Sequence, residues 1–200
     1  VLVIESLVGY FNEVFQDSTD EHTIVDTYYS LIDALIPKRV PVHAFAGHCF
    51  GGELSYLEAV KWEKERGQSP EVWMIDTYAA ATGEVLDRYI GSNGRPLSDE
   101  ERDRFQETLI ENEIQSHIKS PDALPAFGGT VRFFKATRCN LSYLFPVKEP
   151  DDFLPVCLRE IEKRWRALIP QMKVYPVDAD HRTILNQKEN IIRFLLPHMR

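Results

Sequence analysis

Five consecutive residues hold the clearest chemistry in the chain: Gly47-His48-Cys49-Phe50-Gly51. They follow a short strand-like stretch, Val42-His43-Ala44-Phe45-Ala46, and precede a helical pattern from Glu53 to Arg66. A strand, a Gly-x-nucleophile-x-Gly turn and a helix together lift a nucleophile above the end of a parallel sheet. The tight turn forces the middle residue into strained backbone geometry, and its flanks must lack side chains to pack against neighbouring strands. Cysteine stands at the nucleophile position. The N-terminus of the following helix favours a thiolate, and the backbone N–H of Phe50 is placed to donate to an oxyanion.

A nucleophilic thiol needs a base, and the base needs an orienting group. Asp76 directly follows the apolar run Val72-Trp73-Met74-Ile75, 27 residues after Cys49. In a parallel sheet that is the carboxyl edge of a neighbouring strand, where ligands collect. His181 follows the run Met172 to Val177, in Asp178-Ala179-Asp180-His181-Arg182. The expected set is Cys49 as nucleophile, His181 as base and Asp76 as orienter, with Asp178 and Asp180 as rival orienters. His48 is assigned to packing or to a supporting hydrogen bond, because adjacent residues on a sharp turn point in different directions. His43 reads as structural, and His22, His117 and His198 sit in polar or terminal settings. No two histidines have metal-ligand spacing, so no metal site is expected. Cys139 and Cys157 have no obvious base and read as core or surface thiols.

The elements that must position these residues alternate. Thr23 to Ile36 has helical spacing, with Ile24, Tyr28, Leu31, Ile32 and Leu35 on its apolar face. Val1 to Ile4, Val42 to Ala46, Val72 to Ile75, Val131 to Ala136 and Met172 to Val177 read as strands. Phe153 to Leu168 and Thr183 to Leu196 read as helices. Strands alternating with helices predict an α/β fold, a mostly parallel sheet covered on both faces. Gly83 to Gly129 is charged, punctuated by glycine and proline, and reads as a helical insertion. The absence of GxGxxG and GxxxxGK patterns gives no signal for a nicotinamide or nucleotide phosphate site.

The 200 residues suit a single domain. Against 31 Asp+Glu stand 23 Lys+Arg, a net charge of -8, with no dense basic run. Nucleic acid is therefore a poor expectation, and no stretch is apolar enough to span a membrane. Few, widely spaced cysteines favour a reducing compartment, and a cytoplasmic location is expected.

Gly47-His48-Cys49-Phe50-Gly51-Gly52 resembles the GHSFGG turn of α/β-hydrolase thioesterases from nonribosomal peptide and polyketide synthesis. Val72 to Asp76 resembles the strand that delivers that family's aspartate. Asp180-His181 resembles its GDH segment, with Ala179 where glycine is common, and Trp165 fits the preceding helix. The resemblance covers nearly the whole chain. It implies one α/β-hydrolase domain over residues 1–200 with a helical lid at 83–129. It also implies release of an acyl or peptidyl chain from the phosphopantetheine arm of a carrier protein, by hydrolysis or cyclisation, with no bound cofactor. The candidates for a basic patch that meets the carrier are Arg132, Lys135 and Arg138, or Lys119; the other reading of these residues is solvated surface charge.

Two departures from the family matter. Cys49 replaces serine, so the acyl-enzyme would be a thioester. Similar cysteine-type members are associated with β-lactone and β-lactam release; plain hydrolysis and an engineered cysteine are the other readings. The front of the chain is also short. Either an initial strand and the loop with a second oxyanion donor are missing, or Val1 to Ile4 is the first strand and the donor lies near Ser6 to Gly9. The competing classes are a carboxylesterase acting on free esters, a thiol hydrolase of the dienelactone type, and a non-enzymatic relative.

Overall fold

The computed structural model describes residues 21–77, 124–138, 162–163, 165–181, 183–187, 189 and 191. The expected strand Val1 to Ile4, residues 83–123 of the insertion, residues 153–161 and the end of the last helix lie outside them. So do Cys139, Cys157, His117, His198 and Lys119.

The order is α1 (Glu21–Leu35), β1 (Ala44–His48), α2 (Phe50–Arg66), β2 (Glu71–Ile75), β3 (Val131–Ala136), β4 (Lys173–Val177) and a 3-10 turn (Ile184–Gln187). The strands form a four-stranded, wholly parallel sheet in the order β1-β2-β3-β4. β1 starts and ends two residues later than the apolar pattern suggests, so it carries Gly47 and His48 as its last residues. α2 begins at once behind Cys49 rather than at Glu53. Gly67 ends it in a left-handed conformation, with its N–H on the Glu63 carbonyl.

Strand alternation divides the core between two faces of the sheet. Val72, Met74, Val131 and Phe133 are buried against α1, α2, Trp165 and Ile169. Phe134, Ala136 and Val177 are buried on the other face with Ala179, Ile184 and Ile191. β3 lies between β2 and β4, with helix or turn residues over both faces, which accounts for its nearly continuous burial. Residues 76–130 link the adjacent strands β2 and β3, much more chain than a simple crossover needs. In the described tail of that link, Phe127 is buried edge-on against Tyr56.

Arg132 corrects the expected basic patch. It is only 3% exposed. Its Nε and Nη2 donate to Glu71 at 2.9 and 2.7 Å, and its Nη1 donates to the Tyr175 hydroxyl at 2.7 Å. Trp73 Nε1 also donates to Glu71. The pair braces β2, β3 and β4 and leaves Arg132 unable to meet a partner. Lys135 is mostly covered and paired with Glu162, whereas Arg138 is exposed beside Asp178.

α1 buries Ile24, Val25, Tyr28 and Ile32. At about 100° per residue that stripe centres between Val25 and Tyr28, which leaves Leu31 at its rim; Leu35 falls within the stripe but is the last residue of the helix. Both are exposed, contrary to expectation. Two cations of α2 close the α1–α2 contact: Lys61 on Asp26, and Arg66 on Asp33.

α2 also buries two acids, Glu53 and Glu58. Glu58 is 3% exposed, and neither of its carboxylate oxygens has a hydrogen-bond partner among the described residues. Burial pushes its pKa up to about 8; Lys61 opposes the shift and Asp26 adds to it. A carboxyl that holds its proton longer when folded loses stability as pH rises between its unfolded and folded values. Glu58→Gln should therefore match wild type near pH 4.5 and gain on it up to about pH 8. Urea midpoints across that range check this; a constant difference between the two proteins would contradict it.

Candidate active site

The turn after β1 is held by close backbone approach. Cys49 has φ 55° and ψ -128°, a conformation costly for a residue with a side chain, by about 1–3 kcal/mol. Its N–H donates to the Ile75 carbonyl at 3.0 Å, which extends the β1–β2 ladder into the turn. A Cβ on Gly47 would sit 1.8 Å from the Gly51 carbonyl oxygen, and one on Gly52 would sit 1.9 Å from Thr77 Oγ1. Gly51 itself meets nothing within 4 Å. The second obligatory glycine is thus Gly52, not the Gly51 of the five-residue pattern. Cys49 is the N-cap of α2 and makes no side-chain cap bond, so it leaves the first-turn amides, including Phe50 N–H, without that acceptor.

β2 pairs directly with β1, so Asp76 emerges beside the turn. It too has positive φ, 44°. Its side chain is buried; Oδ1 accepts the Ala136 N–H at 3.0 Å, and its own N–H donates to the Phe134 carbonyl at 2.8 Å. Behind it, Trp165 Nε1 donates to the Thr77 carbonyl at 2.8 Å and fixes the chain as it leaves the strand. The Ala136 N–H that meets Asp76 carries no side-chain signature, so sequence reasoning could not find it, whereas Trp165 is already singled out by the family resemblance.

His181 comes from the far strand, β4, and its loop runs back across the end of β3. Thr137 and Arg138 N–H groups donate to the Val177 and Ala179 carbonyls at 3.0 and 2.9 Å. Ala179 is fully buried, so a methyl group fits where glycine is common in the resembling family. Asp180 Oδ1 accepts the Thr183 N–H at 2.9 Å and shapes the turn. Asp178 is exposed and paired with Arg138. Of the candidate orienters, Asp76 reaches the ring: its Oδ2 lies 2.7 Å from His181 Nδ1. Cys49 lies close enough for its side chain to favour the charged form of His181. The structure therefore brings Cys49, His181 and Asp76 together at the carboxyl edge of the sheet. His43 is exposed ahead of β1, away from this group.

Burial disfavours a charged His181, but hydrogen bonds to Asp76 and Cys49 and the charges of both outweigh it, and the pKa rises to about 9. No group of three or more His, Cys, Asp or Glu side chains able to hold a metal occurs among the described residues. Nor is any described helix long and apolar enough to cross a membrane.

Solved structures share this architecture. The NocB thioesterase domain, in covalent complex with a fluorophosphonate nocardicin G analogue, matches with a TM-score of 0.54 and 18% identity, over 93% of this chain and 79% of that one. The fold is that of an α/β hydrolase. YbtT, a type II thioesterase of the yersiniabactin pathway, matches with a TM-score of 0.51 and 14% identity, over 90% of this chain and 73% of that one. The Vlm2 thioesterase domain bound with a dodecadepsipeptide matches with a TM-score of 0.51 and 16% identity, over 91% and 78%. No family model and no curated protein sequence matches the chain.

Within this fold the Asp76 carboxylate is a main support of the His181 charge. The stabilisation that charge gives is complete below the ordinary histidine pKa of 6.5 and lost as pH rises through about 9. Asp76→Asn should bring the titration of the His181 ring protons, followed by NMR, from near 9 down toward or below 6.5. An unmoved midpoint would contradict the pairing.

Proposed function

We propose that the chain is a thioesterase that takes an acyl or peptidyl group from the phosphopantetheine arm of a carrier protein. The observation that supports this best is the His181–Asp76 hydrogen bond beside Cys49 at the end of a parallel sheet. Likeness in fold to thioesterase domains adds to it.

In this reading His181 takes the Cys49 proton. Cys49 Sγ attacks the thioester carbonyl carbon and forms the new C–S bond. The oxyanion accepts the Phe50 N–H and a second, unassigned donor. Collapse breaks the bond to pantetheine, and the departing thiolate takes the proton from His181. Asp76 keeps the ring in the tautomer that does this. A water, or a hydroxyl or amide nitrogen of the acyl chain, then gives its proton to His181 and attacks the acyl-thioester. Cys49 leaves as thiolate, and the product is a free acid or a ring. A thioester retains more acyl-transfer potential than an oxygen ester, so ring closure, including closure to a strained β-lactone or β-lactam, is less uphill from Cys49 than from a serine. None of these steps calls for a bound cofactor, because the phosphopantetheine belongs to the substrate. Residues 83–129, as a lid, would exclude water from the acyl-enzyme. The proposed enzyme acts in the cytoplasm, where its thiol stays reduced.

The rival is a carboxylesterase with the same three residues acting on free esters. Wild type should turn over an acyl-pantetheine thioester with higher kcat/KM than the ethyl ester of the same acid. Cys49→Ala should lose about 10³-fold or more. Cys49→Ser should retain hydrolysis and lose ring product. Equal or greater activity on the ethyl ester would favour the carboxylesterase, and full activity of Cys49→Ala would remove Cys49 from the mechanism.

A further inference from the structure

The His181 loop belongs to β4, while Cys49 stands at the end of β1, and β2 and β3 lie between them. One side chain of β1 reaches across that distance. His48 Nε2 lies 2.9 Å from the His181 carbonyl oxygen. The two imidazole rings also face each other, with centroids 4.5 Å apart and planes 32° from parallel. A carbonyl can only accept, so His48 Nε2 must carry the hydrogen and donate it.

We propose that His48 is a positioning residue that clamps the His181 backbone with this hydrogen bond and backs its ring, holding the imidazole between Asp76 and Cys49. The role assigns a task to the last residue of β1. It rests on Cys49 and His181 acting as a pair, and it deepens the proposed mechanism by naming what aligns them. Asp76 fixes the ring at one nitrogen only, and a single bond leaves the imidazole free to pivot about it. The His48 clamp acts on the main chain of the same residue and the tilted ring contact acts on its imidazole, so together they restrain that pivot.

Electrostatics suit the task. The titratable groups facing His48 among the described residues are His181 and Asp76, with Cys49 next in the chain. Burial, together with the charge of His181, holds the His48 pKa below its ordinary value, while the bond to the His181 carbonyl and the charge of Asp76 oppose this. Between pH 6.5 and about 9 His48 is therefore mainly neutral while His181 is mainly charged, so the imidazolium faces little repulsion from it there.

The test compares His48→Phe, which keeps an aromatic face and loses the donor, with His48→Gln, whose amide N–H can reach the same carbonyl. Both are made in the full chain. The first readout is the rate at which iodoacetamide alkylates Cys49 as a function of pH, with the site located by peptide mass spectrometry. The second is the His181 ring titration by NMR. Neither needs a substrate, so both stand even if the thioesterase reading fails. The expected results are a loss of about 10- to 100-fold in Cys49 alkylation for His48→Phe, a His181 midpoint moved down from about 9, and recovery of both in His48→Gln. Thermal unfolding should show both variants folded. Alkylation and titration in a folded His48→Phe equal to wild type would overturn the proposal, and so would a folded His48→Gln no better than His48→Phe. If wild type alkylates and titrates as described but turns over no pantetheine thioester, the substrate assignment fails and the His48 role stands.

Discussion

A hydrogen bond of 2.7 Å between His181 Nδ1 and Asp76 Oδ2 joins parts of the chain 105 residues apart. Much of the described structure serves to make that bond possible. Parallel pairing of β1 with β2 brings Asp76 out beside Cys49, and the order β2-β3-β4 sets how far the His181 loop must travel. The Arg132–Glu71 pair with Tyr175 holds those strands in register on one face. Packing of Phe134, Ala136, Val177, Ala179 and Ile184 closes the same face beneath the loop. A carboxylate buried this deeply is tolerable because its oxygens meet a backbone N–H and an imidazole.

The strain at the turn is the counterpart of that order. Cys49 and Asp76 are the non-glycine residues with positive φ among those described, and they are the two that flank His181. Strain of this kind persists only where the surroundings over-determine it. Here the surroundings are the bare Cα atoms of Gly47 and Gly52, the Thr77 side chain against Gly52, and the Trp165 bond to the Thr77 carbonyl. The thiol is thereby raised to the sheet edge with the first turn of α2 behind it, the setting in which a helix N-terminus favours negative charge.

What the sequence disclosed and what it hid follow from the range of each interaction. Gly47, Cys49 and the residues around them are legible because close backbone approach permits few residue types there. Asp76 and His181 are legible as polar residues that end apolar strands. Gly52 is not separable from Gly51 by pattern alone, since only the position of Thr77, from another strand end, distinguishes them. Arg132 reads as an exposed cation because the Glu71 and Tyr175 beside it are set by strand register, a non-local quantity. The Asp76 contact with Ala136 is invisible because any residue offers the same backbone N–H.

The central claim is that Cys49, served by His181 and Asp76, becomes acylated. Intact-protein mass spectrometry after brief mixing with an acyl-pantetheine thioester tests it most directly. The account predicts a mass gain equal to the acyl group, located on the Cys49 peptide, absent in Cys49→Ala and strongly reduced in His181→Ala. Turnover of the thioester with acyl mass on another residue, or undiminished turnover in Cys49→Ala, would contradict it.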